Sequence, residues 1–219
     1  MKRVFNALKL DLYAAKSTLR LMVIMFVVSC GIGIIVQRPY FTTLVCMLFA
    51  TYMGGGLFSV YEKNNVDRLY GILPLKKSEI VAGRYIYALV IGLAGIILAG
   101  AAYPLISRIV SVPFDKLSWF MYVAISFLYY CFAAGVQYPI YMRVPFSKAS
   151  VYAMVPMILV YVGIILFTQR TDFLSNVNAF TQFFSTHQPL ILVCGFGIGL
   201  ILLAVSAFIS RAVYAFKEL

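Results

Sequence analysis

The sequence predicts an all-α polytopic membrane protein, with six transmembrane helices preceded by an N-terminal amphipathic helix in the membrane interface. Three observations carry this. Of 219 residues, 63% are apolar and only 11% charged, with a mean hydropathy of +0.95, whereas soluble domains are about half apolar and about a quarter charged. Charged residues punctuate continuous apolar runs, each near the roughly 20 residues that cross about 30 Å of hydrocarbon. Those runs lack the apolar–polar alternation over about ten positions that marks a membrane β-barrel. A soluble globular domain and a disordered chain are both excluded. Six spans take about 120 residues, so the chain reads as one transmembrane domain over 1–219 with no room for a separate soluble domain. A catalytic engine in the cytosol would have to come from another chain.

The elements follow in order. In residues 1–19, Val4, Phe5, Leu8, Leu12, Ala15 and Leu19 recur at helical spacing, with Lys2, Lys9, Asp11 and Lys16 mostly between them. That pattern predicts a helix lying in the inner interface; the alternative is a plain extension of the first span. The N-terminus does not read as a cleavable signal peptide. Its charged region is long, Gln37-Arg38-Pro39 follows the first apolar run, and no A-x-A site occurs. Charges bracket spans at about 20–37, 41–60, 85–107, 118–140, 150–168 and 189–210. Trp119 and Tyr122 fall at the outer edge of the fourth and read as interface anchors. Fourteen of the 18 Lys and Arg residues lie on the side of the two termini, and Arg38, Arg108, Lys116 and Arg170 lie on the other. The positive-inside rule therefore predicts cytoplasmic termini. The net charge of +11 is topological, and no nucleic-acid partner is implied.

Two connecting segments stand out. The loop 61–84, YEKNNVDRLYGILPLKKSEIVAGR, is too charged to enter lipid yet carries Val66, Leu69, Tyr70, Ile72, Leu73 and Leu75. Pro74 breaks any helix there, and Ser78 is placed to cap a new one. Such a loop suits docking to another protein, or packing on its own bundle. On the other side, residues 172–188 form an amphipathic element with Phe173, Val177, Phe180 and Phe184 on one face. It is a candidate outer gate. Gly54, Gly55 and Gly56 in the second span, and Gly195 and Gly199 in the sixth, mark tight packing within the bundle or across a dimer.

The chemistry that is missing narrows the function. No P-loop, H-E-x-x-H or G-x-S-x-G occurs, and no Asp or Glu lies inside a predicted span. Buried ionisable groups are what intramembrane proteases and proton-coupled carriers use. His187, the only histidine, lies in an outer loop and reads as solvated. Cys30, Cys46, Cys131 and Cys194 lie in apolar runs without a CxxC, so neither disulfide framework nor metal site is expected. Ser29, Thr42, Thr43, Thr51, Ser59, Ser126 and Ser206 are expected to hydrogen-bond to helix backbone or between helices. No catalytic residue is expected. The uncharged spans, rich in Phe, Tyr and Met, suit a lipid, a hydrophobic small molecule or an amphipathic peptide rather than an inorganic ion.

One stretch resembles a known family. Glu62, Leu73-Pro74-Leu75-Lys76-Lys77, Ile80-Val81 and Arg84-Tyr85 follow the pattern after the second span of type-2 ABC exporter permeases, in their small bacterial half-size class. Lys76 stands where Ser or Thr is commoner. The layout is similar along nearly the whole chain. The resemblance implies that loop 61–84 holds a cytoplasmic coupling helix between spans two and three that docks into an ABC ATPase. Glu62, Asp67, Arg68, Leu69, Ile72, Leu73, Pro74, Lys76, Lys77, Glu79 and Arg84 are the docking candidates. It also implies two copies of that ATPase, which holds the ATP and Mg, with no cofactor in this chain. A second permease chain, identical or different, would complete a dimer in a bacterial plasma membrane. The competing readings are a non-transporting sensor or immunity protein, and a membrane-embedded enzyme.

Overall fold

A computed structural model describes residues 9–64, 76–169 and 188–215. Among them, six helices follow one another: α1 (Lys16–Ile35), α2 (Pro39–Lys63), α3 (Lys77–Ile109), α4 (Lys116–Arg143), α5 (Phe146–Gln169) and α6 (Gln188–Ala215). No strand occurs among the described residues. Stretches in the last five are long and apolar enough to cross a membrane, while α1 contains the shorter apolar stretch Leu21–Ile35. The outer element with Phe173, Val177, Phe180 and Phe184 lies outside the described residues, as does His187.

Two expectations need correction. The N-terminal helix does not run to residue 19. Residues 9–14 are helical, Ala15 forms a turn, and α1 begins at Lys16. The third span does not start on a Ser78 cap. Lys76 is the cap, and the Glu79 carboxylate accepts its backbone N–H at 2.9 Å. An acidic side chain in the first turn thus does the capping from inside the helix.

Short connections force neighbours in sequence to run antiparallel. Two of them use the same device. After α1, Arg38 N–H bonds Gly33 O at 3.1 Å and Gln37 N–H bonds Ile34 O at 3.0 Å, with Gln37 at φ 56°. After α3, Val112 N–H bonds Ser107 O at 3.0 Å and Ser111 N–H bonds Arg108 O at 3.2 Å, with Ser111 at φ 57°. Both are Schellman closures with a non-glycine residue in the left-handed region. Pro39 then starts α2 at a position where its missing N–H costs nothing. Asp115 caps α4, accepting from Ser118 N–H at 2.9 Å, Leu117 N–H at 3.2 Å and the Ser118 hydroxyl at 2.6 Å. The Ser118 hydroxyl, with these backbone bonds, holds the Asp115 carboxyl below its ordinary range.

Helices α2, α3, α4 and α6 make the centre. α6 lies along α4, and α2 touches α1, α3 and α4. α5 packs on α4, and α1 on α2 and α3. The core is aromatic: Phe127, Tyr87, Tyr130 and Tyr138 are almost wholly buried. Exposed Val, Leu, Ile and Phe residues cover the outer faces of α1, α5 and α6, the signature of helices whose surroundings are themselves apolar. All four cysteines are free, with Cys46 and Cys131 buried and Cys194 exposed.

Two prolines inside helices organise polar contacts. A proline cannot donate to the carbonyl four residues back. Pro104 in α3 therefore frees Gly100 O, and the Trp119 indole N–H of α4 donates to it at 3.0 Å. Pro139 in α4 frees Gly135 O, and the Ser206 hydroxyl of α6 donates to it at 2.6 Å. Ser206 is in turn 2.6 Å from Tyr85 Oη of α3, which is 2.8 Å from Ser210 Oγ. With the Ser206 proton committed to Gly135, Tyr85 donates to Ser206 and accepts from Ser210. Trp119, expected as an interface anchor, thus also ties α4 to α3. Ser29, Thr43 and Thr51 back-bond within their helices at 2.8–2.9 Å.

Ser206→Ala is expected to leave Gly135 O and Tyr85 short of partners and to cost about 1–2 kcal/mol. Adding Pro139→Ala restores a backbone N–H to Gly135 O, so the double variant should recover part of that loss. Unfolding of the detergent-solubilised protein measures both. A double variant no more stable than Ser206→Ala would refute the proline-freed carbonyl as the reason for the bond.

Candidate functional site

The helix ends sort by charge. Lys9, Lys63, Lys76, Lys77, Arg84, Arg143, Lys148 and Arg211 belong to one end of the bundle, here the basic end, from which the connection 64–76 leaves α2 and returns to α3. Asp67, Arg68, Leu69, Ile72, Leu73 and Pro74 lie outside the described residues. The candidates that flank them, Glu62, Lys76, Lys77, Glu79 and Arg84, are described and are held in different ways.

Arg84 is only 2% exposed. Its guanidinium lies 5.0 Å from the centre of the Phe58 ring, 5.1 Å from Tyr61 and 5.6 Å from Tyr214. Two of these rings come from the last turns of α2 and one from the end of α6. A guanidinium stacks on aromatic faces and is weakly hydrated, so it tolerates such a cage better than an ammonium would. α3 is about 50 Å long at 1.5 Å per residue, well beyond the hydrocarbon thickness. Arg84 is in its second turn, near the boundary of the apolar layer.

Asp11 meets the same cage at Tyr61. It is fully buried, and its carboxylate accepts a hydrogen bond from the Tyr61 hydroxyl. Asp11 and Arg84, opposite charges in a low-dielectric setting, therefore share one tyrosine: the acid at its hydroxyl and the cation over its ring. The expectation that Asp11 lies on a polar face is overturned. Its spacing of three from Leu8 and four from Ala15 puts it on the apolar stripe of its helix, and Ala15 is also fully buried.

The other flanking residues tie further helices into this end. The exposed Glu62 carboxylate, at the end of α2, accepts from Ser147 N–H at 2.9 Å and from the Ser147 hydroxyl at 2.5 Å, capping the first turn of α5. Lys77 Nζ donates to Ala215 O at 3.1 Å, where a cation meets the carbonyl end of α6. Lys76 is exposed, and Glu79 closes the start of α3 as described above. Both ends of the connection are thus fastened to the bundle through α5, α6 and the N-terminal segment.

The candidate packing glycines face neighbours within the chain. An ideal Cβ on Gly54 would sit 3.2 Å from Tyr138 Oη, and one on Gly55 3.1 Å from Tyr141 Cε2. Gly56 is half-buried. A Cβ on Gly195 would sit 2.8 Å from Ala124 Cβ, and one on Gly199 3.0 Å from Cys131 Sγ. Gly33 and Gly92, which the sequence analysis did not single out, are tighter still: 2.0 Å from Thr42 Oγ1 and 2.3 Å from the Tyr130 ring.

The described residues of the basic end are a junction of packing, charge and helix capping. Buried opposite charges, an aromatic cage and helix caps join five segments around one loop. Phe58, Tyr61, Tyr214 and Asp11 are the members that sequence reasoning missed. Asp11 was legible from its spacing, but the three rings converge only in three dimensions.

Compared with known proteins, residues 7–215 match the family of ABC-2 family transporter proteins. No curated protein and no solved structure matches the chain.

Proposed function

The chain belongs to the ABC-2 family of transporter proteins, and from that premise we propose that it is the permease subunit of an ATP-driven exporter of a hydrophobic or amphipathic substrate. Membership makes it a multi-pass membrane component of a transporter rather than a catalytic enzyme. In the proposal, α1 also spans the membrane, which brings the number of spans to six, and the basic end is cytoplasmic, as the excess of lysine and arginine there favours. Both termini are then cytoplasmic and the membrane is a bacterial plasma membrane. The loop with Asp67, Arg68, Leu69, Ile72, Leu73 and Pro74 docks into an ABC ATPase. Two ATPase copies, carrying ATP and Mg, serve two permease chains. Phe173, Val177, Phe180 and Phe184 contribute an outer gate.

The supporting observation is how the loop is anchored. Glu62 grips α5, Lys77 grips the end of α6, and Arg84 and Tyr61 clasp the two helices that flank the loop. A displacement of the loop by closing ATPases would reach several helices at once, instead of being absorbed by a flexible connector. Packed helices joined this way shift as units.

Purification of the chain from its native membrane in mild detergent is expected to bring down an ATP-binding subunit with vanadate-sensitive ATP hydrolysis. Reversing Arg68 and Lys77 together to Glu should weaken that association about tenfold, corresponding to 1.4 kcal/mol. A chain recovered without any ATPase after crosslinking in intact cells would overturn the proposal. A chain that binds ATPase but never responds to substrate would be a sensor instead.

A further inference from the structure

We propose that the wedge between α1, α2 and α3 is a binding site for one acyl chain of a bilayer lipid. The hairpin of α1 and α2 is pinned at the end away from the basic residues, where Gly33 crosses Thr42 so closely that a Cβ would sit 2.0 Å from its hydroxyl oxygen. Towards the basic end the helices leave a cavity of about 390 Å³. Met22 and Phe26 of α1 and Phe49 and Met53 of α2 form its walls. Its floor is Ala50, Ala94 and Gly95. The cavity exists because these floor residues are too small to fill it.

The lining selects the occupant. Among the described lining residues the one polar side chain, Cys46, directs its thiol to Gly95 O at 3.7 Å, so none of them offers a charged or strongly polar group to a headgroup or a peptide. The volume is about two and a half times the roughly 150 Å³ that holds one benzene, which scales to about fifteen carbons. The mouth is at Val23, 65% exposed, beside Ile24 and Val27 at 58% and 63%. That face is continuous with the apolar exterior of α1, which lies against lipid chains when α1 spans as proposed above. An empty void there forfeits the dispersion contacts of its walls, and unbranched chains flanked by Met and Phe restore them. The site stands whether or not the chain transports.

The test uses the full chain reconstituted in phosphatidylcholine vesicles whose acyl chains carry a diazirine at mid-length. After irradiation, adducts are mapped by peptide mass spectrometry. Met22, Phe26, Phe49 and Met53 should be labelled more heavily than Leu200 and Phe208, which are 45% and 69% exposed on α6. Ala94→Phe fills the cavity from its half-buried floor. It should lower labelling of the four wall residues about tenfold and leave α6 labelling unchanged. Val23→Trp, which blocks the mouth without touching the core, gives the same readout should Ala94→Phe fail to fold. Wall labelling no heavier than that of α6, or unchanged in the folded variants, would overturn the site.

Discussion

Arg84→Leu is expected to be the most damaging substitution at the basic end, lowering the stability of the detergent-solubilised protein by about 3–5 kcal/mol. Desolvated cation–π contacts contribute about 2 kcal/mol, and removing one buried charge from a cluster that holds its opposite costs about 3–5 kcal/mol. Leucine fills part of the volume between Phe58, Tyr61 and Tyr214 but supplies neither the planar stack nor the charge. Arg84→Lys should recover only part of the loss, because an ammonium is more strongly hydrated and cannot stack over the rings. Chemical unfolding of each variant, followed by circular dichroism, gives the values. A double-mutant cycle with Asp11→Asn tests the shared tyrosine. Residues joined through Tyr61 should couple by about 1 kcal/mol or more, and additivity within about 0.5 kcal/mol would refute the junction. In the proposed transporter, ATP hydrolysis by the partner subunit should fall with Arg84→Leu even under conditions where the chain remains folded.

Gly195→Leu is expected to split α4 from α6, at a cost of about 3 kcal/mol. The nearest atoms to the new Cβ are Ala124 Cβ at 2.8 Å and Ala124 Cα at 3.3 Å. Backbone cannot swing aside as a flexible side chain can, so the helices must separate. The internal control is Gly197, which has nothing within 4 Å of an added Cβ. Gly197→Ala should be neutral, or gain up to about 1 kcal/mol from helix propensity. Thermal unfolding of the two variants side by side decides it. Equal losses at both positions would show that the α4–α6 contact does not depend on a close approach at Gly195.

The helices were legible because one constraint dominates inside a bilayer: backbone polar groups must be satisfied within the segment, so apolar runs become helices. Charges at Arg20, Arg38, Arg84, Arg108, Lys116, Arg143 and Lys148 mark apolar runs that coincide with helices, but the helices run past them: Arg20 and Arg84 lie inside α1 and α3, and α3 begins at Lys77. The N-terminal boundary was misplaced because the amphipathic pattern continues through Ala15, where the chain turns. Ser78 was the obvious capping residue by type, but the Glu79 carboxylate reached the Lys76 N–H first and fixed the start of α3 two residues earlier. The glycines were recognised as packing sites by composition. Which helix each one meets depended on the arrangement of helices, which no periodicity encodes.

By itself the sequence determined the all-helical membrane architecture, the charge asymmetry of the two ends, the absence of catalytic motifs and the family resemblance that residues 7–215 bear out. These are properties of composition and local spacing, and hydration and backbone satisfaction act on them segment by segment. The tertiary structure alone decided that Asp11 and Arg84 are buried on one tyrosine, that Trp119 and Ser206 satisfy carbonyls released by Pro104 and Pro139, and that α1, α2 and α3 enclose a cavity. Each of those joins residues from different helices. Inside a bilayer, apolar side chains are equally well solvated by lipid or by protein, so hydropathy does not choose helix neighbours. That choice falls to shape, small residues and the few polar groups that need a partner.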